Sequence, residues 1–147
     1  MGINYKMGEQ VFPEPVVGAL IFNKENKLFL MKSHKFCNMY IVPGGHIELG
    51  ETMEEALKRE INEETGMDIY DLEFISFQEF IYDNVFWKKR HFIMLDFSCK
   101  TDSEEVKLND EAQEYLWVSL KDALMLKIEP YTKKLIQDYI TKKGIKI

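Results

Sequence analysis

The chain has 147 residues, 46% hydrophobic and 30% charged, which supplies apolar material for one core and leaves too little length for two ordinary domains. Its formal net charge of -6 excludes the positive field needed for non-specific binding to DNA or RNA, so a nucleic-acid polymer is not an expected partner. No apolar run approaches bilayer length, the opening residues lack a signal-peptide pattern, and the two cysteines, Cys37 and Cys99, have no metal-ligand spacing, so a cytoplasmic protein without a membrane partner is expected.

Residues 1–15 read as an extended arm broken by Pro13 and Pro15, ahead of a single domain that fills the chain. Residues 16–23 ("VVGALIFN") and 27–33 ("KLFLMKS") are predicted strands, joined as a hairpin by the polar "KEN". Residues 36–45 form a predicted loop with room for one short strand, ending in Pro43, Gly44 and Gly45. A helix over residues 53–65 follows. Thr52 is its predicted N-cap, Glu55 completes the capping-box spacing, and Gly66 suits the positive φ that closes a helix. Residues 72–82 and 89–100 are two longer predicted strands, and residues 101–113 a polar connection. Residues 115–120 are a last strand, leading through Ser119 or Leu120 into a short helical turn. Pro130 then starts a final helix, in which Tyr131, Leu135, Tyr139 and Ile140 recur at helical spacing. Strands joined by hairpins and flanked by two helices predict an α+β fold, a mixed sheet with helices packed on its faces.

The 53–65 helix is unusual in where it puts its charge. With Glu60 at the top of a helical wheel, Met53, Ala56, Leu57, Glu63 and Glu64 all fall within about 60° of it. Glu54, Glu55, Lys58, Asn62 and Thr65 take the opposite half. Three carboxylates therefore share the apolar arc, where an amphipathic helix would place none. Two carboxylates about 5–6 Å apart repel by roughly 3 kcal/mol at an effective dielectric near 20, and partial burial adds desolvation. Proton uptake, a cationic side chain or a divalent metal could offset that cost. Arg59 lies about 100° away on the wheel and reaches one carboxylate more easily than three. Oxygen-only ligands suit Mg²⁺ or Mn²⁺. A solvated acidic face is the plain alternative. Gly44 and Gly45 would let the backbone turn tightly and approach a ligand, with a carbonyl free to complete a metal shell; a simple turn after Pro43 is the alternative.

Together these residues resemble the signature of the Nudix (MutT-type) hydrolases. Gly45, Glu51, Arg59-Glu60, Ile61, Glu63-Glu64, Gly66 and Met67 fill each of its defined positions. The box covers about a sixth of the chain, and the predicted strands and late helix are similar to the family's α/β/α sandwich with a mixed sheet and a catalytic helix after a Gly-Gly loop. The resemblance implies a divalent-metal-dependent pyrophosphohydrolase of nucleoside diphosphates linked to another group, with Mg²⁺ or Mn²⁺ as cofactor and a small nucleotide as partner. It implies Glu60 and Glu64 as principal metal ligands and Glu63 as ligand or general base. It further implies that a carbonyl of Gly44 or Gly45 completes the shell, and that Arg59 with Glu51 supports the loop. A further acid from the loop before the last strand is expected, with Glu111 the first candidate and Glu114 the second. Homodimers are common in the family and are expected on that ground. A nucleotide-sensing module without catalysis is the alternative, but such modules would lose box carboxylates, and here all are present.

Candidates for substrate contact are Glu48, His46, Tyr40 and Tyr82, with Tyr5, Phe12, Phe36, Phe86 and Trp87 as further aromatic platforms. Lys88, Lys89 and Arg90 could meet phosphates, whereas His91, within an apolar strand, reads as a packed histidine. The substrate among nucleoside triphosphates, nucleotide sugars and related molecules is left open.

Overall fold

The computed structural model describes residues 9–147; Tyr5 and the first part of the predicted arm lie outside the described residues. In chain order the elements are β1 (Glu14–Phe22), β2 (Leu28–Ser33), a 3-10 turn (His34–Phe36), β3 (Met39–Ile41), β4 (Gly44–His46) and α1 (Met53–Thr65). They continue with β5 (Ile69–Ile81), β6 (His91–Thr101), β7 (Glu114–Val118), α2 (Leu120–Ala123) and α3 (Pro130–Lys143). Among the described residues no helix is long and apolar enough to cross a membrane.

Period-two alternation divides the apolar residues between two cores. Val17, Ala19 and Ile21 of β1, with Phe29 and Met31 of β2, pack against Ala56, Leu57 and Ile61 of α1. Leu20, Phe22, Leu28 and Leu30 face the other way and pack with Leu135 and Ile136 of α3. The result is an α/β/α sandwich around one mixed seven-stranded sheet, as expected. β1 runs parallel to β6 from Glu14↔Phe92 to Phe22↔Lys100, β6 pairs antiparallel with β5, and β2 pairs antiparallel with β3 and β7.

The helix boundaries follow from local chemistry. Thr52 and Glu55 form the capping box, and Gly66, at φ 74°, closes α1 with its N–H on Asn62 O. At α3, Pro130 occupies the first turn and Glu129 caps it, accepting from the N–H groups of Tyr131 and Thr132 at 2.8 and 2.9 Å.

Two expectations need correction. Gly44 and Gly45 do not form a tight turn: they lie in β4, antiparallel to β1 with Gly18↔Gly44 and Val17↔Gly45 in register. The turn comes later, at Gly50, where φ is 88°. Glycine is needed in β4 for proximity instead. A Cβ on Gly44 would overlap the Val17 carbonyl oxygen and stand 2.7 Å from Gly18 Cα. The second correction concerns α1. Its buried residues are Ala56, Leu57, Ile61, Glu64 and Thr65, so the sheet contact centres between Leu57 and Glu64 rather than on Glu60. Met53 and Glu63 are rotated into solvent, while Thr65 turns inward and donates to Ile61 O at 2.7 Å.

Candidate functional site

The inner face of α1 lies against β4, and this contact assembles the acids. Glu64 is 3% exposed, and the Gly44 N–H donates to its Oε1 at 3.0 Å. Glu60 fits over Gly45 so closely that a Cβ there would overlap its carboxyl group, reaching 2.7 Å from Oε1. Glu63 points outward, with its side chain 55% exposed.

Arg59 ties the loop to the helix. Its Nε and Nη2 hold both oxygens of Glu51 at 2.7 and 2.8 Å, and Nη2 also donates to His46 O at 3.0 Å. Its Nη1 donates to Glu60 Oε1 at 3.0 Å and to Glu63 Oε2 at 3.4 Å, with Glu48 Oε1 3.7 Å away. One guanidinium thus spans four acids, more than the wheel suggested, because its planar fork offers five donors. The hydrogen bonds from Arg59 hold the Glu51 carboxyl down at about 2.

Burial pushes the carboxyls of Glu60 and Glu64 the other way. For Glu60, desolvation outweighs the help of Arg59. For Glu64, desolvation dominates, the Gly44 N–H lowers the pKa, and the nearby charges of Glu60 and Glu111 raise it again. Glu111 joins this group from the loop before β7, held there by Lys35, whose Nζ donates to both Glu111 oxygens at 2.8 Å. Lys35 Nζ also lies 5.3 Å from the centre of the Trp87 ring. Glu114 instead pairs with Lys32 and Tyr40 at the start of β7.

A cavity of about 300 Å³ joins these groups: Gly45, His46, Glu60, Glu64, Glu111 and Lys35 line it, with Phe36 and Phe86 among its apolar walls. Of the residues singled out from the sequence, Glu48, Glu51, Arg59, Glu63, Glu114, Tyr40 and Tyr82 are among those that do not line it. Tyr40 donates to Glu114 Oε1 at 3.2 Å, and Tyr82 belongs to a separate surface hollow with Phe12, Lys89 and Arg90. Glu48 stays at the exposed edge beside Arg59. His46 lines the cavity, with its Nε2 3.4 Å from Glu14 Oε1.

Sequence reasoning missed Lys35, Gln78, Asp96 and Glu129, all of which line the same cavity. Lys35 and Glu111 are 76 positions apart, and nothing local signals their pairing. Asp96 did leave a signal, as an acid set inside the apolar run "HFIMLDFSC". Burial pushes its carboxyl up to about 7, although Gln78 Nε2 donates to Oδ2 at 3.0 Å.

Among the described residues no three His, Cys, Asp or Glu side chains converge tightly enough to enclose an ion as they stand. The donor chemistry nevertheless suits a hard divalent cation. Half-buried Glu60 and buried Glu64 are mutually repelling carboxylates beside a glycine backbone that admits no side chain, with Arg59 on a Glu60 oxygen and Lys35 on both oxygens of Glu111.

Similarity to known proteins gives the family and the fold. A family model described as the NUDIX domain matches residues 12–139. The nucleoside triphosphatase NudI of Escherichia coli (strain K12) is 33% identical over 108 residues, covering 69% of this chain and 77% of that protein. Among solved structures, the MutT protein from Methanosarcina mazei Go1 superposes with a TM-score of 0.72 at 25% identity, covering 94% of this chain and 100% of that one. The NUDIX domain of Shewanella oneidensis NrtR, solved with ADP ribose, matches in fold with a TM-score of 0.75 at 17% identity, covering 95% and 94%.

Proposed function

The chain belongs to the Nudix hydrolase family, whose members act on phosphoric anhydride bonds, and on that premise we propose that it is a divalent-metal-dependent pyrophosphohydrolase of nucleoside triphosphates. The observation that carries this reading is the pairing of half-buried Glu60 and buried Glu64 with the side-chain-free backbone of Gly44 and Gly45. The triphosphate preference draws on the activity of the Escherichia coli relative.

In this reading Glu60, Glu64 and the Gly45 carbonyl would hold Mg²⁺ or Mn²⁺, with Glu111 joining once Lys35 releases it. The cation supplies neutralisation of phosphate oxygens and acidification of water. Glu63, exposed outside the cavity lining with Oε2 3.4 Å from Arg59, would turn inward to take a proton from the attacking water. Arg59 keeps Glu60 and Glu51 in place, so that the loop and helix move together. Lys35, freed from Glu111, would meet the negative charge of the phosphates. Water attack on phosphorus then yields a nucleoside monophosphate and pyrophosphate. We assign the enzyme to a reducing cytoplasm, where Cys37 and Cys99 remain free thiols.

The test is a panel of nucleoside triphosphates, ADP-ribose, nucleotide sugars and dinucleoside polyphosphates, with Mg²⁺ or Mn²⁺. Triphosphates should be turned over, and Glu63→Gln should slow the reaction by about 10²–10⁴-fold. Failure to turn over any member of the panel would sink the enzyme reading and leave a nucleotide-sensing module. Activity indifferent to both Glu63→Gln and Glu64→Gln would sink the proposed site.

A further inference from the structure

The cavity continues to the α3 side of the sheet, where it meets a second polar group that hydrolysis does not use. Asp96 of β6 and Gln78 of β5 stand there beside Glu129 and Tyr131 at the start of α3. Asp96 is 6% exposed. Gln78 Nε2 donates to Asp96 Oδ2 at 3.0 Å and to the Tyr131 carbonyl oxygen at 2.8 Å. Both amide hydrogens are thereby committed, which leaves Gln78 Oε1 an acceptor. Asp96 Oδ1 accepts no hydrogen bond among the described residues. The Glu129 oxygens are occupied by the backbone of α3 and by Thr132 Oγ1, so Glu129 acts as a cap that adds negative potential.

Space is left in front of the open oxygen. Gly18 pairs with Asp96 on one side and with Gly44 on the other, which puts Gly44, Gly18 and Asp96 in one row across three adjacent strands. A Cβ on Gly18 would lie 3.9 Å from Asp96 Oδ1 and 3.5 Å from Val42 Cγ2. The same row carries the Gly44 N–H that holds Glu64. Two strand spacings, roughly 10 Å, separate the backbones at its ends, and the sugar of a nucleotide can bridge that interval.

We propose that Asp96 and Gln78 form the base-reading end of the substrate cavity and select nucleotides whose base carries an exocyclic amino group. The proposal rests on the reading that the cavity takes a nucleotide, and it adds the class of base. A buried carboxyl with one amide partner and an open oxygen is poorly solvated, and a ligand N–H is the group that completes it. The amino groups of guanine, adenine and cytosine supply that donor. Uracil and thymine instead present a single ring N–H flanked by two carbonyl oxygens, which would face the oxygens of Asp96 and Gln78.

Nucleoside monophosphates carry the base without an anhydride, so their binding reads this end of the cavity independently of turnover. Calorimetric titration of wild type in Mg²⁺ buffer should give at least tenfold tighter binding for GMP, AMP or CMP than for UMP and TMP. Asp96→Asn keeps the volume and can still accept from Gln78, but it turns an amide N–H toward the ligand. The preference should then collapse or reverse, and Gln78→Met should weaken it. UMP binding as tightly as the best amino-bearing monophosphate would overturn the proposal, whether or not the variants fold. So would equal weakening of every monophosphate by Asp96→Asn, or no binding of any. A triphosphate assay on the same preparation separates the two readings. Base preference without turnover counts against the hydrolase alone, and turnover without base preference counts against the base-reading end alone.

Discussion

Gly44 and Gly45 are neighbours in one short strand, yet an added methyl group meets a different obstacle at each. At Gly45 the obstacle is the Glu60 carboxyl group, the movable end of a long side chain. At Gly44 it is the backbone of β1, which cannot step aside without parting the strands. Gly45→Ala should therefore leave stability within about 1 kcal/mol of wild type while lowering kcat/KM at least tenfold, because Glu60 is displaced. Gly44→Ala should cost at least about 2 kcal/mol. Denaturant midpoints of the two variants check this, and equal stability losses would refute the distinction. Asp96 gives a second prediction. Its carboxyl is pushed up to about 7 in the folded chain by burial, whereas in the unfolded chain it titrates near the ordinary value. Between those values the folded state binds the extra proton, so stability falls as pH rises. The loss is on the order of 4 kcal/mol if the whole shift is realised. Subtracting the pH profile of Asp96→Asn from that of wild type should expose a downward slope from about pH 4 to pH 7. A flat difference would show that Asp96 titrates normally.

At the level of elements, what could be read in the sequence is what the chain settles locally. The bounds of α1 follow from Thr52, Glu55 and Gly66, and those of α3 begin at Pro130, all within a few residues of the element itself. Residues 16–23 and 27–33 read as strands from their own apolar content, and the structure divides their side chains between two faces. β4 escaped notice because a Gly-Gly-His segment has no strand propensity of its own. Its strand character comes from pairing with β1, at Val16↔His46, 30 residues earlier. The rotation of α1 that exposes Glu63 and buries Thr65 is likewise set by the sheet it meets rather than by its own wheel. Thr52→Ala should test how local α1 is. The Thr52 side chain accepts from Glu55 N and makes no hydrogen bond to Glu60, Glu63 or Glu64, so its loss should cost about 1 kcal/mol of stability. kcat/KM should change less than twofold. A tenfold loss of activity would mean that the cap also orients Glu60 or Glu64.

Across the whole molecule, the largest gathering of like charge lies at one junction. The two apolar cores lie on opposite faces of the sheet, and the acids gather where α1, β4 and the loop before β7 meet. Glu60, Glu64 and Glu111 come from segments up to 51 positions apart, so only the box half of this cluster was legible as a motif. Lys35 and Arg59 offset part of the repulsion, but burial still holds both Glu60 and Glu64 above the usual carboxylate range. A cation that binds only the folded cluster must therefore raise global stability, by about 2.7 kcal/mol at a hundred times its dissociation constant. For a chain of this length, each kcal/mol corresponds to roughly 2–4 °C in Tm. Titrating Mn²⁺ or Mg²⁺ into the metal-free protein at constant ionic strength should raise Tm along a saturating curve, reversed by EDTA. Na⁺ at matched ionic strength should give no such curve. Glu64→Gln should start from a higher Tm than wild type, because it removes a buried charge, and should lose most of the metal-dependent rise. If the divalent ions shift wild type and Glu64→Gln equally, the acids of α1 do not hold the metal, and the cluster is a structural burden without a ligand.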